Sequence, residues 1–345
     1  MGKTEIIIKW LNAEISAGRL RPGDRVPSEY ELAEKLGVNK TTANKAVATL
    51  VTSGILTRGR RGSGTFVKTN APAFRGQIMF VTSIAHPNYA KIVYGAQSAA
   101  LSRGYLTILA SPMPEEVNEF IGKIASSGVQ GILTGCYGLL REPDGIPLIH
   151  LDRNFAENIR PRYLINPDGA AGARMAVEEF LRLGHRNLVM LSYQYQSSRI
   201  DGFIAALRDA GIPEPDKRVW ICHSGREIAT RLIQEMLTQV PGLTGIVTGS
   251  DDIAFQLIPA LKAKGIAVPE NLSVSGFGNV SQICTLFDLT SIDQHCFEMG
   301  AFAANRLIDI IEKKYMKESF NELLPCDLVR RHSIRQLNNV GQANL

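Results

Sequence analysis

The sequence predicts two unlike parts. The first is a small α+β unit, a helix-turn-helix with a wing; the second is a much larger α/β region of two doubly wound parallel-sheet lobes. Three observations carry this. Residues 25–67 read RVPSEYELAEKLGVNKTTANKAVATLVTSGILTRGRRGSGTFV, two short helical patterns followed by a Gly-rich basic hairpin. From Gln77 onward, short apolar runs alternate with helical periods, which is repeated β-α alternation. The positive charge is also confined: residues 1–70 hold 12 Lys/Arg against 6 Asp/Glu, while residues 71–345 hold 26 against 27.

In the first part, Ile7, Ile8, Leu11 and Ile15 recur near helical spacing over Thr4–Ala17, and Gly18 is a stop. Arg21-Pro22-Gly23-Asp24 is a turn. Ser28 and Glu31 have the capping-box spacing, opening a helix that ends at Gly37. Asn39 caps the next helix. There Ala43, Ala46, Val47, Leu50 and Val51 form a buried stripe, leaving Lys40, Thr41, Asn44 and Ala48 outward and Lys45 at the flank. That division suits a recognition helix. Asn44 can pair with an adenine edge, Lys40 and Lys45 with guanine or phosphate, and Thr41 with phosphate or a thymine methyl.

Ile55–Thr57 and Thr65–Val67 read as the wing's strands. Arg58, Arg60 and Arg61 lie between them, suited to phosphates or a minor groove. Ser28, Tyr30, Ser63 and Gly64 complete the expected DNA-facing set. No acid occurs after Glu34 up to Asn70, so the field is that of a polyanion binder; the alternative is a merely solvated basic face. The run PSEYELAEKLGV-N-KTTANKAVATLVTSGIL…GRRGSGTFV resembles the winged helix-turn-helix of the GntR family of bacterial transcription regulators. That family usually has arginine where this chain has Tyr30, Lys40 and Asn44, which leaves the operator sequence open.

The remaining composition narrows the function classes. The chain is 45% hydrophobic and 21% charged, a soluble globular balance. No apolar run reaches the roughly 18–20 residues that span a bilayer, and MGKTEIIIKWLNAEIS is not a secretory signal. Cys136, Cys222, Cys284, Cys296 and Cys326 are scattered without C-x-x-C or zinc spacing. Buried thiols in a reducing cytoplasm are expected, with no metal and no cofactor. No P-loop, G-x-S-x-G, H-E-x-x-H or strand-linked G-x-G-x-x-G supports an enzyme.

The domains expected are 1–68 for the DNA-binding head, 69–76 for a linker, 77–337 for a ligand-binding and dimerisation domain, and 338–345 for a tail. HPNYAKIVYGAQSAALSRGY, VQGILTG, IPLIHLDR, NPDGAAGARMAVEEFLRLGHRNL, SSRIDGFIAAL, TGIVTGSDDIAFQLIPALKAKGIAVPENLSVSGFG and LTSIDQHCFEMGAFAANRLI resemble, in order, the LacI-type effector domain. That domain is built like periplasmic-binding proteins of type I. A GntR-type head on such a domain is similar to the AraR-like regulators. The resemblance implies one lobe of about 77–160 plus 294–322, another of about 163–290 plus 324–337, and three crossings as hinge, with Gln294 at the third.

From the cleft geometry implied, the ligand candidates are Asn88, Tyr89, Asp152, Arg153, Arg199, Ser250, Asp251 and Gln294. Tyr137, Tyr193, His223 and Asn279 are loop positions that also face it. Other roles stay open: Asp152 as a strand-end cap, Arg199 in an ion pair with Asp201 or Asp251, Asp251 as the cap of the helix from Ile253, Gln294 on hinge backbone, and Tyr193 and Tyr195 as surface aromatics. Gly278 stands where the family pattern has an aspartate. Asn279 or another residue substitutes for it, or the ligand is not a simple neutral sugar, or the response is lost.

These readings imply a cytoplasmic, homodimeric regulator of double-stranded operator DNA, a repressor of carbohydrate use that responds to a sugar or sugar derivative. The alternatives are a constitutive DNA binder and, less supported, a sugar-processing enzyme with a DNA-binding tether.

Overall fold

The computed structural model describes residues 2–60, 63–68, 74–85, 87–153, 155 and 159–337. The chain forms two compact units, Met1–Arg75 and Gly76–Leu345, each with its own core.

The first unit contains α1 (Lys3–Ser16), α2 (Glu29–Lys35), α3 (Lys40–Thr52) and the antiparallel strands β1 (Leu56–Arg58) and β2 (Thr65–Val67). The capping box closes on both sides: the Ser28 N–H donates to Glu31 Oε2 at 2.6 Å, and the Glu31 N–H donates to Ser28 Oγ at 3.3 Å. Asn39 Oδ1 accepts from the Thr42 N–H at 2.7 Å and starts α3. Ala43, Ala46, Val47 and Leu50 of α3 bury against Ile7 and Leu11 of α1, Leu32 of α2 and Leu56 and Val67 of the wing. The wing's first strand runs one residue later than its apolar pattern suggests, because Thr57 and Arg58 pair with Phe66 and Thr65.

The second unit alternates strand and helix: β3 (Gly76–Val81), α4 (Pro87–Ser102), β4 (Tyr105–Ala110), α5 (Val117–Lys123), β5 (Val129–Gly135), β6 (Leu148–Leu151), β7 (Tyr163–Pro167), α6 (Gly169–Arg182), β8 (Leu188–Ser192), α7 (Ser197–Asp209) and β9 (Val219–Ile221). There follow α8 (Gly225–Glu227), running through a wide turn into α9 (Ile233–Gln239), then β10 (Gly245–Thr248), α10 (Asp251–Ala263), β11 (Ser273–Phe277), α11 (Ser281–Phe287), β12 (Ser291–Asp293), α12 (Cys296–Ile311), β13 (Phe320–Leu324) and β14 (Asp327–Val329). Two six-stranded sheets result, ordered β4-β3-β5-β6-β7-β13 and β9-β8-β10-β11-β12-β14. Every pairing in them is parallel except β12 with β14. Continuous apolar runs such as VQGILTG and YLINP form these strands because helices or loops cover both faces.

In the first lobe α4 and α12 lie backbone to backbone. A Cβ on Gly95 would stand 1.9 Å from the Phe297 carbonyl oxygen, and one on Gly300 1.9 Å from that of Ile92, so the approach requires both glycines.

The lobe boundary differs from the one the sequence suggests. Tyr163–Pro167 was expected in the second lobe, but β7 pairs in parallel with β6 and β13 and belongs to the first. Its short run sits between two loops and carries no helix of its own before α6, which hides it as a separate strand. The chain therefore crosses between lobes after Pro167, between Asp293 and Cys296, and between Leu324 and Asp327. Gln294 lies at the second crossing rather than the third.

Candidate functional site

In the first unit, Lys40, Thr41, Asn44 and Lys45 are exposed along one side of α3, opposite its buried stripe. The Lys40 ammonium sits 3.8 Å from the centre of the exposed Tyr30 ring, joining the starts of α2 and α3. Arg58 of β1 donates to Asn44 Oδ1 at 3.0 Å. Ser63 Oγ donates to the Arg60 carbonyl at 2.6 Å, and the Gly59 N–H donates to the Gly64 carbonyl at 2.9 Å, closing the wing tip. Ser28 is spent as the α2 cap. Arg61 lies outside the described residues. Lysine, arginine, carboxamide and hydroxyl groups thus share one side of the unit, a set able to bind phosphates and base edges.

In the second unit, the carboxyl ends of both sheets face a cavity of about 330 Å³ between the lobes. Asn88 and Tyr89 open α4, Asp152 and Arg153 follow β6, Arg199 projects from α7, Ser250 and Asp251 follow β10, and Gln294 stands at the second crossing; all eight line this cavity. Left-handed backbone follows strand ends at Cys136 (φ 62°) and Asp152 (φ 50°), which line the cavity, and at Asn279 (φ 46°) and His295 (φ 51°), which do not. Such conformations are costly and cluster where a side chain must be aimed.

The polar groups form a chain from lobe to lobe. Asn88 Nδ2 donates to Gln294 Oε1 at 3.3 Å, and Gln294 Nε2 donates to Asp152 Oδ1 at 3.4 Å. The Arg199 guanidinium reaches the same carboxylate at 3.9 Å, donates to the Gly249 carbonyl at 2.5 Å, and lies 3.9 Å from the Phe277 ring centre. Arg199 therefore pairs with neither Asp201 nor Asp251: Asp201 is two residues along the same helix and faces elsewhere. Gln294 binds the side chains of Asn88 and Asp152, both of the first lobe, rather than hinge backbone. The Tyr89 hydroxyl donates to the Asp152 carbonyl at 3.4 Å and accepts from the Cys136 N–H at 3.0 Å, and burial raises its pKa strongly.

Asp251 is almost fully buried. Its Oδ1 accepts from Ser291 Oγ at 2.6 Å, and its Oδ2 accepts from the Val280 N–H at 2.7 Å. It begins α10 but does not cap it; it ties that helix to the start of α11 and to β12. Burial pushes its carboxyl pKa up, against those hydrogen bonds.

Four loop candidates lie elsewhere. Tyr137 borders a separate pocket and donates to the Pro112 carbonyl at 2.7 Å. Tyr193 and His223 line an adjoining recess. Asn279 donates to Asp293 Oδ2 and accepts from Arg331, each at 2.8 Å, and does not line the cavity. The cavity wall also includes Cys136, Tyr195, Gln196, Asp252, Phe277 and Val280, which are not among the expected set. Phe277 was foreseeable, since it immediately precedes Gly278; Gln196 carried no signal, because it acts through the loop it braces.

Residues 3–67 match the gntR family of bacterial regulatory proteins, and residues 177–334 match a periplasmic binding protein-like domain. The arabinose metabolism transcriptional repressor of Geobacillus stearothermophilus is 25% identical, with 96% of each chain covered. The transcriptional repressor PurR of Actinobacillus pleuropneumoniae serotype 3 is 28% identical over 75% of this chain and 81% of its own. Among solved structures, a ribose-bound LacI family regulator from Enterococcus faecium covers 76% of this chain and 100% of its own, with TM-score 0.62 and 24% identity. The CelR regulator in complex with cellobiose covers 89% of this chain and 100% of its own, with TM-score 0.65 and 22% identity. These structures share the fold.

A DNA-binding head followed by a two-lobed cleft domain defines a ligand-responsive, DNA-binding transcription regulator. This chain joins a head that matches the gntR family to a domain that matches the periplasmic binding protein-like model, and two arabinose metabolism transcriptional repressors align with 96% and 90% of it. Among the described residues no helix is long and apolar enough to cross a membrane.

Proposed function

We propose that this protein is a cytoplasmic repressor of a carbohydrate-utilisation operon whose hold on operator DNA is changed by a sugar or sugar derivative bound between the lobes. The observation that carries this reading is the Asp152 carboxylate of the first lobe, facing Arg199 of the second and Gln294 of the crossing. A polyol that accepts from Arg199 and donates to Asp152 would replace their loose contact with two charge-assisted hydrogen bonds and bias the lobes toward closure. No chemistry on the ligand is required, and the cleft residues are assigned binding roles only.

A single head offers one recognition helix, so the protein acts as a homodimer on a two-fold operator. The edge strand β4, which exposes Leu106, Ile108 and Leu109, supports pairing through the second unit. Lobe closure then changes the spacing of the paired heads. A thermal-shift screen of sugars, sugar acids, deoxysugars and sugar phosphates on the full chain tests the reading, followed by operator binding with each hit. A stabilising sugar that changes operator affinity is expected; turnover of it would point to an enzyme instead. Only monomer by gel filtration and crosslinking, with and without operator, would sink the dimer.

Gly278 favours one second reading, a constitutive DNA binder. A Cβ there would meet Asn88 Nδ2 at 2.7 Å, so an amide occupies the space a ligand-binding side chain would enter. That reading predicts operator affinity indifferent to every compound of the screen, and no stabilisation.

A further inference from the structure

Beside the main cavity lies a recess of about 520 Å³ lined by Tyr193, Gln194, Tyr195, Cys222 and His223. Tyr195 lines both spaces, so the recess, built from the second lobe, adjoins the cavity between the lobes at this ring. The connection from β8, ending at Ser192, to α7, starting at Ser197, carries both tyrosines. Their rings stack with centroids 5.4 Å apart and planes 10° apart. Gln196 fixes this loop from beneath: it is buried, and its Oε1 accepts from Ser192 Oγ at 2.8 Å and from the Tyr193 N–H at 3.2 Å.

Tyr195 spends one face on Tyr193 and still remains 58% exposed. A braced, exposed aromatic at the mouth of a polar cavity is a surface prepared for a partner with apolar faces and polar edges. The C–H faces of a pyranose or furanose ring meet that description, and Gln194 and the exposed His223 can serve its hydroxyls from the rim.

We propose that the effector is longer than one sugar ring: a disaccharide or glycoside whose first ring lies between Asp152 and Arg199 and whose second ring or aglycone packs on Tyr195 over the recess. The inference rests on the sugar-responsive reading above and sharpens it. A one-ring ligand would fill the first chamber alone and leave the recess empty.

The test uses the full chain and matched one-ring and two-ring probes: arabinose with arabinobiose, xylose with xylobiose, glucose with cellobiose and with maltose. Thermal shift selects the responsive pair and calorimetry gives both dissociation constants. The two-ring member is expected to bind about tenfold or more tighter, and Tyr195→Ala to collapse that ratio toward one, whereas Arg199→Ala weakens both members. Melting of each unliganded variant confirms that it is folded. Equal affinity for the two members, or a ratio unchanged by Tyr195→Ala, overturns the extension and leaves the sugar reading standing. No saturable shift with any probe overturns both.

Discussion

The guanidinium of Arg58 donates to the carboxamide oxygen of Asn44 at 3.0 Å, tying the wing to the outward side of α3. Bidentate recognition of adenine needs both ends of that carboxamide, one accepting and one donating. If Asn44 reads an adenine edge, Arg58 is expected to exchange this bond for one to a phosphate. Asn44→Ala is expected to relax preference at one operator position, at a cost of about 1–3 kcal/mol against the preferred base pair. Competition binding with single-base operator variants reads this out; an unchanged preference profile would move the reading face elsewhere.

Arg60 is exposed at the wing tip, with no acid near it in sequence. Contacts to phosphate carry no base information and release counterions. Arg60→Ala, and likewise Arg61→Ala, should weaken specific and non-specific DNA alike and lower the slope of log K against log salt by about one. A loss confined to the specific operator would instead assign these arginines to base readout.

Gly278 has φ +125°, and a Cβ placed there would lie 2.7 Å from Asn88 Nδ2 and 3.6 Å from Asp251 Oδ2. Gly278→Ala should destabilise the chain by about 1–3 kcal/mol through backbone strain. It should also push Asn88 away from Gln294 and so loosen the link to Asp152. Urea unfolding measures the first effect and effector titration the second. A variant as stable as the parent would mean that the backbone relaxes out of the left-handed region.

The head was legible almost residue by residue, because its signals are local. Ser28 and Glu31 cap within one turn, Asn39 caps within another, and the Ala43–Leu50 stripe repeats with the helix. The Arg58–Asn44 bond was not legible, since it joins residues 14 apart through the register of the wing. In the second unit, alternation disclosed the layers, and residues just after strands, such as Asp152 and Ser250, fell at the cavity as expected. Assignment of partners failed where it depended on three-dimensional order. Arg199 meets Asp152 across the lobes rather than its sequence neighbour Asp201, and Asp251 is consumed by Ser291 and the Val280 N–H. Nothing in the run YLINP reveals that its strand lies between β6 and the distant β13.

His150 sits inside β6, only 3% exposed, and its Nε2 accepts from the Leu140 N–H at 3.2 Å, a bond that only the neutral imidazole can make. Burial, helped by the nearby positive charge of Arg153, lowers its pKa from the usual 6.5 to about 4. Between those values the unfolded chain holds a proton there that the folded chain refuses, so stability falls as pH drops through the window. The loss approaches about 3 kcal/mol once pH reaches 4. His185, also lowered by burial, acts in the same direction. Glu179, held down to about 2 by Arg182 and Arg330, adds its own loss only as pH falls below the ordinary carboxylate value of 4.5, so the two effects separate. Urea midpoints at pH 7.5, 6.0 and 5.0 should decline steadily, and His150→Gln, which keeps an acceptor but does not titrate, should flatten the decline. A parent as stable at pH 5.0 as at pH 7.5 would mean that the folded chain accepts the proton on His150.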